Sequence, residues 1–320
     1  MKSSLKIKIL SLFILFFVVV FLGIIKGSVH LSLSELLRPE NRSILHLRFL
    51  RIFLAIIAGS GLAVAGIALQ AILRNPLAEP YLLGTSSGAS LGAILAIVVG
   101  FSINYLPLAA FLGAILTTVL VYWVAKQGNK VPVQSLILAG VVVSVAFSGM
   151  IVFLVSFYGD KALHGLLWWL WGSLQVYDFK LLCVVSVTVI LGILAIFALS
   201  QDLNAISIGE EEAIHLGINT DTIKKLLFLI TSLITASLVS ICGIIGFVGL
   251  IIPHIMRFVV GPNHRILIPS TCLSAAIFMV LCDLLSRTLF VPFEIPIGVI
   301  TAAVGSPIFI ALLKTKQKIK

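Results

Sequence analysis

The sequence predicts an all-α membrane protein that crosses the bilayer about ten times. Hydrophobic residues make up 60% of the 320 residues and charged residues only 11%, and the mean hydropathy is +1.20. A soluble domain carries about 25% charged residues, so this chain has more apolar surface than a water-soluble core can bury. Long apolar segments also recur along the whole chain. We therefore interpret residues 1–320 as a single transmembrane domain.

Ten segments approach the roughly 20 apolar residues that a spanning helix requires. The first contains an unbroken apolar run, 9–25, which is longer than the core of a signal peptide, so we expect it to be retained as a helix. The eighth and tenth are short and contain proline, and the boundary at Cys242 and Gly243 has almost no polar break. The predicted spans are 7–26, 51–73, 82–101, 106–126, 134–157, 178–199, 224–242, 244–260, 266–288 and 296–314.

The basic residues indicate how these spans are oriented. With both termini in the cytoplasm, the cytoplasmic connectors carry fourteen of the 22 Lys and Arg residues and the outer connectors carry eight. Lys and Arg are usually in excess on the cytoplasmic side, which explains the net charge of +10 without a nucleic-acid partner. The outer loop 26–51 is an exception, because it contains five of the eight outer basic residues.

Motifs for catalysis are missing from the sequence. It lacks a G-x-x-x-x-G-K-[ST] phosphate loop and an HExxH motif, and its four cysteines form no CxxC pair. We therefore expect a transport subunit rather than an enzyme, with no bound cofactor and no metal site. Asp283 and Arg287 stand four residues apart and can neutralise each other. An ion-coupled carrier usually has acidic residues near the membrane midplane, and Asp283 alone is a poor candidate for that role.

The connector 200–223 is the only long and strongly polar one on the cytoplasmic side. Ser207 and Glu210 have the spacing of a capping box, and Gly217 suits the end of a helix, so the sequence predicts a short helix at about 208–216. Its first turn carries three consecutive carboxylates, which anionic lipid headgroups would repel. This favours a cytosolic protein partner, and a solvated loop is the alternative. The three carboxylates belong to Glu210, Glu211 and Glu212.

A second polar connector, Arg74-Asn75-Pro76-Leu77-Ala78-Glu79-Pro80, separates two apolar segments. Its two prolines prevent either flanking helix from continuing through it. A glycine stripe with four-residue spacing follows and predicts the close approach of another helix. Hydroxyl groups nearby could line a weakly polar pathway, although hydroxyls in helices more often bond their own backbone. The glycines are Gly84, Gly88 and Gly92, and the hydroxyl residues are Ser86, Ser87, Ser144 and Ser148.

Four groups of residues form long motifs in a fixed order along 50–314. They are Gly61-Leu62-Ala63, Gly66, Gln70, Arg74 to Ala78, Pro80 and Leu83-Gly84; Gly209-Glu210 with Ala213, Leu216 and Gly217; Gly246 to Leu250, Pro253-His254 and Arg257; and Pro296 to Val299 with Gly305-Ser306-Pro307. Together they resemble the permeases of FecCD-type ABC transporters, which import iron-siderophores, haem and cobalamin. The sequence departs from that family at Arg48-Phe49-Leu50-Arg51, where the proline of the usual Arg-x-Pro-Arg pattern is absent.

The resemblance implies the architecture of a type II ABC importer permease. It implies ten helices per subunit, a second permease subunit that is identical or paralogous, two cytosolic ATPases that hold ATP and Mg²⁺, and an extracytoplasmic substrate-binding protein. It places the chain in the lipid of a bacterial cytoplasmic (inner) membrane, with a bulky metal chelate as cargo. A ferric siderophore is the leading expectation, followed by haem or cobalamin. The alternative from another class is an ion-coupled secondary transporter.

The resemblance also implies roles for individual residues. Outer arginines would bind acidic residues of the substrate-binding protein, because guanidinium–carboxylate pairs set a register well. Interfacial anchoring is the alternative. The expected docking residues are Arg48, Arg51 and Arg287. The expected ATPase-coupling residues are Gly209, Glu210, Glu211, Glu212, Ala213, Leu216 and Gly217. The expected gate and pathway residues are Asn75, Pro76, Gln134, Ser135, Ser86 and Ser87.

Overall fold

A computed structural model describes residues 2–29, 31–128, 131–158, 170–176 and 178–317 of the chain. The tryptophan-rich segment 158–177 predicts an aromatic belt at the membrane interface, and its Trp168, Trp169 and Tyr177 lie outside the described residues. The described residues form thirteen α-helices. The helices are α1 Lys2–Ile25, α2 Leu33–Leu36, α3 Arg42–Ile72, α4 Thr85–Val99, α5 Leu106–Ala125, α6 Val133–Tyr158, α7 Phe179–Ala198, α8 Ser200–Ile208, α9 Glu210–His215, α10 Thr220–Cys242, α11 Val248–Val260, α12 His264–Thr288 and α13 Ile297–Gln317.

The ten predicted spans all appear as helices, which confirms the all-α membrane fold. In the part of the chain that the structure describes, seven helices are long and apolar enough to cross a membrane, namely α1, α3, α5, α6, α7, α10 and α12. Three shorter apolar helices, Thr85–Val99, Val248–Val260 and Ile297–Leu312, account for the rest. Helix α4 follows the 3-10 helix Pro80–Leu83, and α11 follows the non-helical segment 243–247.

Helix α3 is the central element of the bundle. Within its most apolar stretch 89% of the residues are buried, whereas the corresponding figure for α1 is 11%. Every residue of α3 from Leu54 to its end is buried except Ile56, because α7, α8, α10, α11 and α12 all pack around it. Helix α1 lies at the periphery and keeps large apolar side chains exposed, as a helix facing lipid does.

Glycines allow the helices to approach closely. A methyl group built on Gly66 of α3 would overlap the carbonyl oxygen of Gly249 in α11, so these two backbones are in direct contact. The predicted stripe behaves in the same way: Gly88 and Gly92 of α4 lie against the backbone of α5 around Gly113. Small residues let van der Waals contact extend along both helices, which is the main source of helix association in lipid.

We expect a single methyl group at Gly66 to destabilise the bundle. Gly66→Ala forces α3 and α11 apart at the backbone contact and should lower the free energy of unfolding by about 1–3 kcal/mol, as overpacking does. Gly149→Ala is a matched control, because Gly149 is also helical and nothing lies within 4 Å of the added methyl. Thermal unfolding in one detergent compares them: Gly149→Ala should match the parent chain, and equal stability of Gly66→Ala would contradict the contact.

Candidate functional site

The connector (residues 74–84) folds back along the helix that precedes it. Arg74 has a φ of 47°, which turns the chain sharply after α3. The Asn75 amide then donates to the Gln70 carbonyl oxygen at 3.1 Å, and the Asn75 side-chain oxygen accepts from the Leu77 amide at 2.9 Å. Asn75 is half-buried and Pro76 is exposed. The two residues therefore form a turn at the end of α3, and their role as a gate stays a prediction.

A helix break (residues 243–247) separates α10 from α11, at the weak boundary that hydropathy predicts. Side chains of the connector bind its backbone amides. The Tyr81 hydroxyl accepts from the Ile245 amide at 3.1 Å, and Glu79 Oε1 accepts from the Phe247 amide at 3.0 Å. Phe247 has a φ of 71°, which is rare for a bulky residue and costs of order 1–3 kcal/mol unless the surroundings fix it.

A third side chain, that of Gln70, bonds a carbonyl oxygen that has no partner within α11. Pro253 lies inside α11 and has no N–H, so the Gly249 carbonyl loses its partner within the helix. Gln70 Nε2 replaces that partner and donates to the Gly249 oxygen at 3.2 Å. Arg257 Nη1 in turn donates to Gln70 Oε1, which fixes the orientation of the amide. A glutamine and an arginine from two sequence motifs thus form one hydrogen-bonded group.

The last helix also reaches this point. A methyl group on Gly305 of α13 would lie 2.8 Å from Cβ of Phe247 and 2.9 Å from Ile251. The connector, the break and α13 contain three sequence motifs that are far apart along the chain, and the structure brings them together. Sequence reasoning assigned no role to Glu79 or Tyr81. One signal was available, because Glu79 is the only acidic residue between Glu40 and Asp160.

The remaining predicted pathway residues lie near the start of α4 and α6. Ser87 Oγ donates to the Gly84 carbonyl oxygen at 3.0 Å and lies 3.3 Å from Ser144 Oγ, so it joins α4 to α6. Ser86 is half-buried on α4, and its carbonyl oxygen accepts from the Ser90 hydroxyl. The structure places Gln134 exposed at the start of α6, next to Ser135, whose hydroxyl accepts from Gln127 Nε2 at 3.0 Å. Their role as a constriction stays a prediction.

The elbow (residues 200–217) consists of α8 and α9. The predicted short helix is present as α9, and Gly217 ends it as expected: Gly217 has a φ of 82°, and its amide donates to the Ile214 carbonyl oxygen at 2.9 Å. The predicted capping box is wrong. Ser207 lies in the last turn of α8, where its hydroxyl donates to the Leu203 carbonyl oxygen at 2.7 Å. Glu210 instead pairs with Lys224 of α10 at 2.5 Å.

Apolar side chains of the elbow are exposed on an otherwise polar surface. Ala213 is completely buried against α8, but Ile208, Ile214 and Leu216 are 71%, 56% and 70% exposed. Glu211 and Glu212 are exposed beside them, and Gly209 is the extended residue between the two helices. The elbow therefore presents apolar groups flanked by carboxylates, a composition that suits a protein partner better than a lipid surface.

A hydrogen-bonded tie connects the elbow to α12. Asn204 Oδ1 of α8 accepts from the His264 amide at 2.9 Å and lies 2.8 Å from His264 Nδ1. Its Nδ2 donates to Asn263 Oδ1 at 3.3 Å. His264 and Asn263 form the start of α12. The elbow is thus linked directly to the start of α12 by hydrogen bonds that no sequence pattern indicated.

A charge network (Arg51, Asp283, Arg287 and Glu294) lies at the opposite end of α12. Arg51 Nε donates to Asp283 Oδ1 at 2.5 Å, and its Nη1 donates to Glu294 Oε2 at 2.7 Å. Arg287 Nη2 lies 2.8 Å from Asp283 Oδ2, which confirms the predicted pair at i,i+4. Asp283 is 0% exposed and is held between two guanidinium groups. It is a buried counter-ion rather than a free acid in the membrane.

The predicted docking arginines are engaged inside the chain. Arg48 is buried, and its guanidinium donates to the Ile24, Ile25 and Val29 carbonyl oxygens at the end of α1. Arg287 is also buried and donates to the Gly23 and Lys26 carbonyl oxygens. The Arg51 side chain is 13% exposed and so is the most accessible of the three. Their role in docking stays a prediction, and the geometry adds a structural role for all three.

We expect Asp283→Asn to destabilise the fold. It leaves the buried Arg287 without its counter-ion, which typically costs about 3–5 kcal/mol. Glu294→Gln is the matched control, because the Arg51–Glu294 pair is partly exposed and its loss should cost about 1 kcal/mol or less. Thermal unfolding of the purified variants measures both. A stable Asp283→Asn chain would contradict this account, and a loss of uptake in that variant does not by itself indicate ion coupling.

Known proteins are similar to this chain along most of its length. The model of the FecCD transport family matches residues 12–315. The chain is 37% identical to the cobalamin import permease BtuC of Halobacterium salinarum, over 87% of this chain and 76% of that protein. It is 34% identical to the hemin transport permease HmuU of Yersinia pestis, over 86% and 84% of the two chains. A solved structure described as an inward-facing metal-chelate type ABC transporter is 34% identical, has a TM-score of 0.87 and is matched over 96% of this chain and 98% of its own. The chain belongs to the FecCD transport family.

Proposed function

We propose that this chain is the transmembrane subunit of an ATP-driven importer for a metal chelate, with a ferric siderophore as the substrate. Relatives named for their cargo include a Fe(3+)-citrate permease of Bacillus subtilis at 36% identity and the hemin and cobalamin permeases above. A molybdate permease of Haemophilus influenzae at 37% identity shows that cargo varies among the relatives. Haem or cobalamin, carried by the same mechanism, is the second expectation.

The exposed apolar surface of the elbow is the observation that carries this proposal. Ile208, Ile214 and Leu216 are solvent-exposed in the only long, strongly polar connector on the predicted cytoplasmic side, so a second protein would gain free energy by covering them. The chain has no nucleotide-binding loop of its own, and a partner ATPase with ATP and Mg²⁺ supplies the energy. A second permease subunit and an extracytoplasmic binding protein complete the complex, with both termini of this chain in the cytoplasm.

The packing gives a route by which ATP binding changes the pathway. Helix α9 packs on α8 and α10, and α8 is tied to α12 through Asn204 and His264. Helix α10 leads directly to the helix break, and α12 ends in the charge network. A displacement at the elbow therefore biases the equilibrium between inward- and outward-open states at both ends of the bundle. The chain performs no covalent chemistry in this scheme.

One observation favours an ion-coupled carrier as the second candidate. Glu79 is an acidic residue beside a discontinuous helix, which is where secondary transporters usually place their coupling groups. The two candidates differ in energy source. A carrier follows the ion gradient across the membrane and needs no ATPase, whereas the importer needs ATP on its partner.

We expect Leu216→Asp and Ile214→Asp to release the ATPase without unfolding the chain. Both side chains are exposed, so a new carboxylate meets water in the free chain but disfavours burial under a partner. Gln201→Asp adds the same charge at an exposed position of α8 and is the control. Co-purification from native membranes with mass spectrometry measures how much ATPase is retained. Full retention in both Leu216→Asp and Ile214→Asp would argue against these side chains as the ATPase-binding surface.

Uptake into proteoliposomes that hold the purified complex tests the cargo. We expect a ⁵⁵Fe-labelled ferric siderophore to accumulate only when ATP is enclosed with the ATPase and the binding protein is added outside. Haem and radiolabelled cobalamin are the comparison substrates. Accumulation of only one of these would reassign the cargo, and accumulation driven by an ion gradient without ATP would favour the carrier.

A further inference from the structure

We propose that Glu79 and Tyr81 are positioning residues that cap the broken start of α11, so that the connector and α11 move as one unit when the pathway opens. The opening of a pathway rests on the proposed function, whereas the hydrogen bonds of the cap do not depend on it. Both side chains belong to the connector, and both accept hydrogen bonds from amides of the helix break.

Helix α11 begins with a residue that cannot cap it. Phe247 is the N-cap, and its carbonyl oxygen accepts from the Leu250 and Ile251 amides. Its side chain has no oxygen to bind the free amides of the first turn, which is the usual task of Ser, Thr, Asp or Asn at this position. The N-cap residue therefore makes no side-chain cap of its own.

Glu79 supplies the carboxylate of a capping box from a distant segment. In an ordinary capping box, a Glu three residues into the helix bonds the amide of the N-cap residue. In this chain that helical position is Leu250, and Glu79 Oε1 binds the Phe247 amide instead, at 3.0 Å. A carboxylate at this end of α11 also interacts favourably with the helix dipole. The bond helps to hold Phe247 at its unusual φ of 71°.

The short turn that carries Tyr81 touches α11 on both sides of the cap. Tyr81 binds the Ile245 amide before the helix starts, and Pro80 packs on Gly249 within its first turn: a methyl on Gly249 would lie 2.6 Å from Pro80 Cδ. Gln70, just before the connector, holds the Gly249 carbonyl oxygen. The connector and Gln70 therefore contact α11 throughout its first turn. When the connector moves, the start of α11 moves with it.

Amide hydrogen exchange of the full chain in lipid nanodiscs tests this without substrate or ATPase. Tyr81→Phe and Glu79→Leu should each speed exchange about tenfold, in the peptides covering 74–84 and 243–247 together, because one opening exposes both segments. Glu79→Gln should stay within about threefold of the parent chain, since its amide oxygen still accepts from Phe247. Tyr122→Phe is the control, because no hydrogen bond of its hydroxyl is present among the described residues.

Four results would overturn the proposal. They are unchanged exchange in Tyr81→Phe and Glu79→Leu; faster exchange in 243–247 with 74–84 unchanged; equal acceleration across α7 as well; and Glu79→Gln exchanging as fast as Glu79→Leu. The last result would mean that the charge of Glu79, and not its hydrogen bond to the Phe247 amide, stabilises the two segments. If Glu79→Leu does not fold, Tyr81→Phe decides the matter, since it removes a single hydroxyl and keeps the ring.

Discussion

A backbone N–H that leaves its helix inside a membrane needs a partner within the protein, because lipid cannot bond it. This requirement is met in the chain at one place above all, the helix break between α10 and α11. Glu79 and Tyr81 bond the amides of the break, and Gln70 bonds a carbonyl that Pro253 leaves free. Each partner sits on or next to the connector, so the two irregular segments must lie side by side. The close backbone contact at Gly66 follows from that placement.

The helices of the bundle are joined by two kinds of contact, one through the backbone and one through long side chains. At the centre of the bundle, polar side chains of the connector bond the backbone of the helix break, and Gly66 lets α3 touch the backbone of α11. These short contacts leave little freedom in how the two segments are placed. At the two ends of α12, long side chains join helices through ions or amides: Asn204 and His264 at one end, Arg51 and Asp283 at the other. Helix α12 therefore connects the elbow at one end to the charge network at the other.

The ten spans and the glycine stripe were predictable because hydropathy and small residues are local properties of the sequence. The interactions that define the site were not, because their partners are far apart: Arg51 is 232 residues from Asp283 and 243 from Glu294. Local rules also failed where two local options competed. Ser207 could cap a new helix, but its hydroxyl binds the Leu203 carbonyl oxygen of the helix it already belongs to. The burial of Arg48 depends on how the end of α1 packs against α3, and the hydrophobic periodicity of either helix does not predict that packing.

The carbonyl groups at the end of α1 have a consequence for biosynthesis. Arg48 binds the carbonyl oxygens of Ile24 and Ile25, 24 and 23 residues earlier in the chain, so this part of α1 is secured soon after it leaves the ribosome. The carbonyl oxygens of Gly23 and Lys26 receive their hydrogen bonds from Arg287, which is translated 264 and 261 residues after them. Chains grow from the N-terminus, so the first helix stays incompletely bonded until nearly the last one is inserted. Arg287 therefore completes the bonding of the end of α1 only when almost the whole chain has been made.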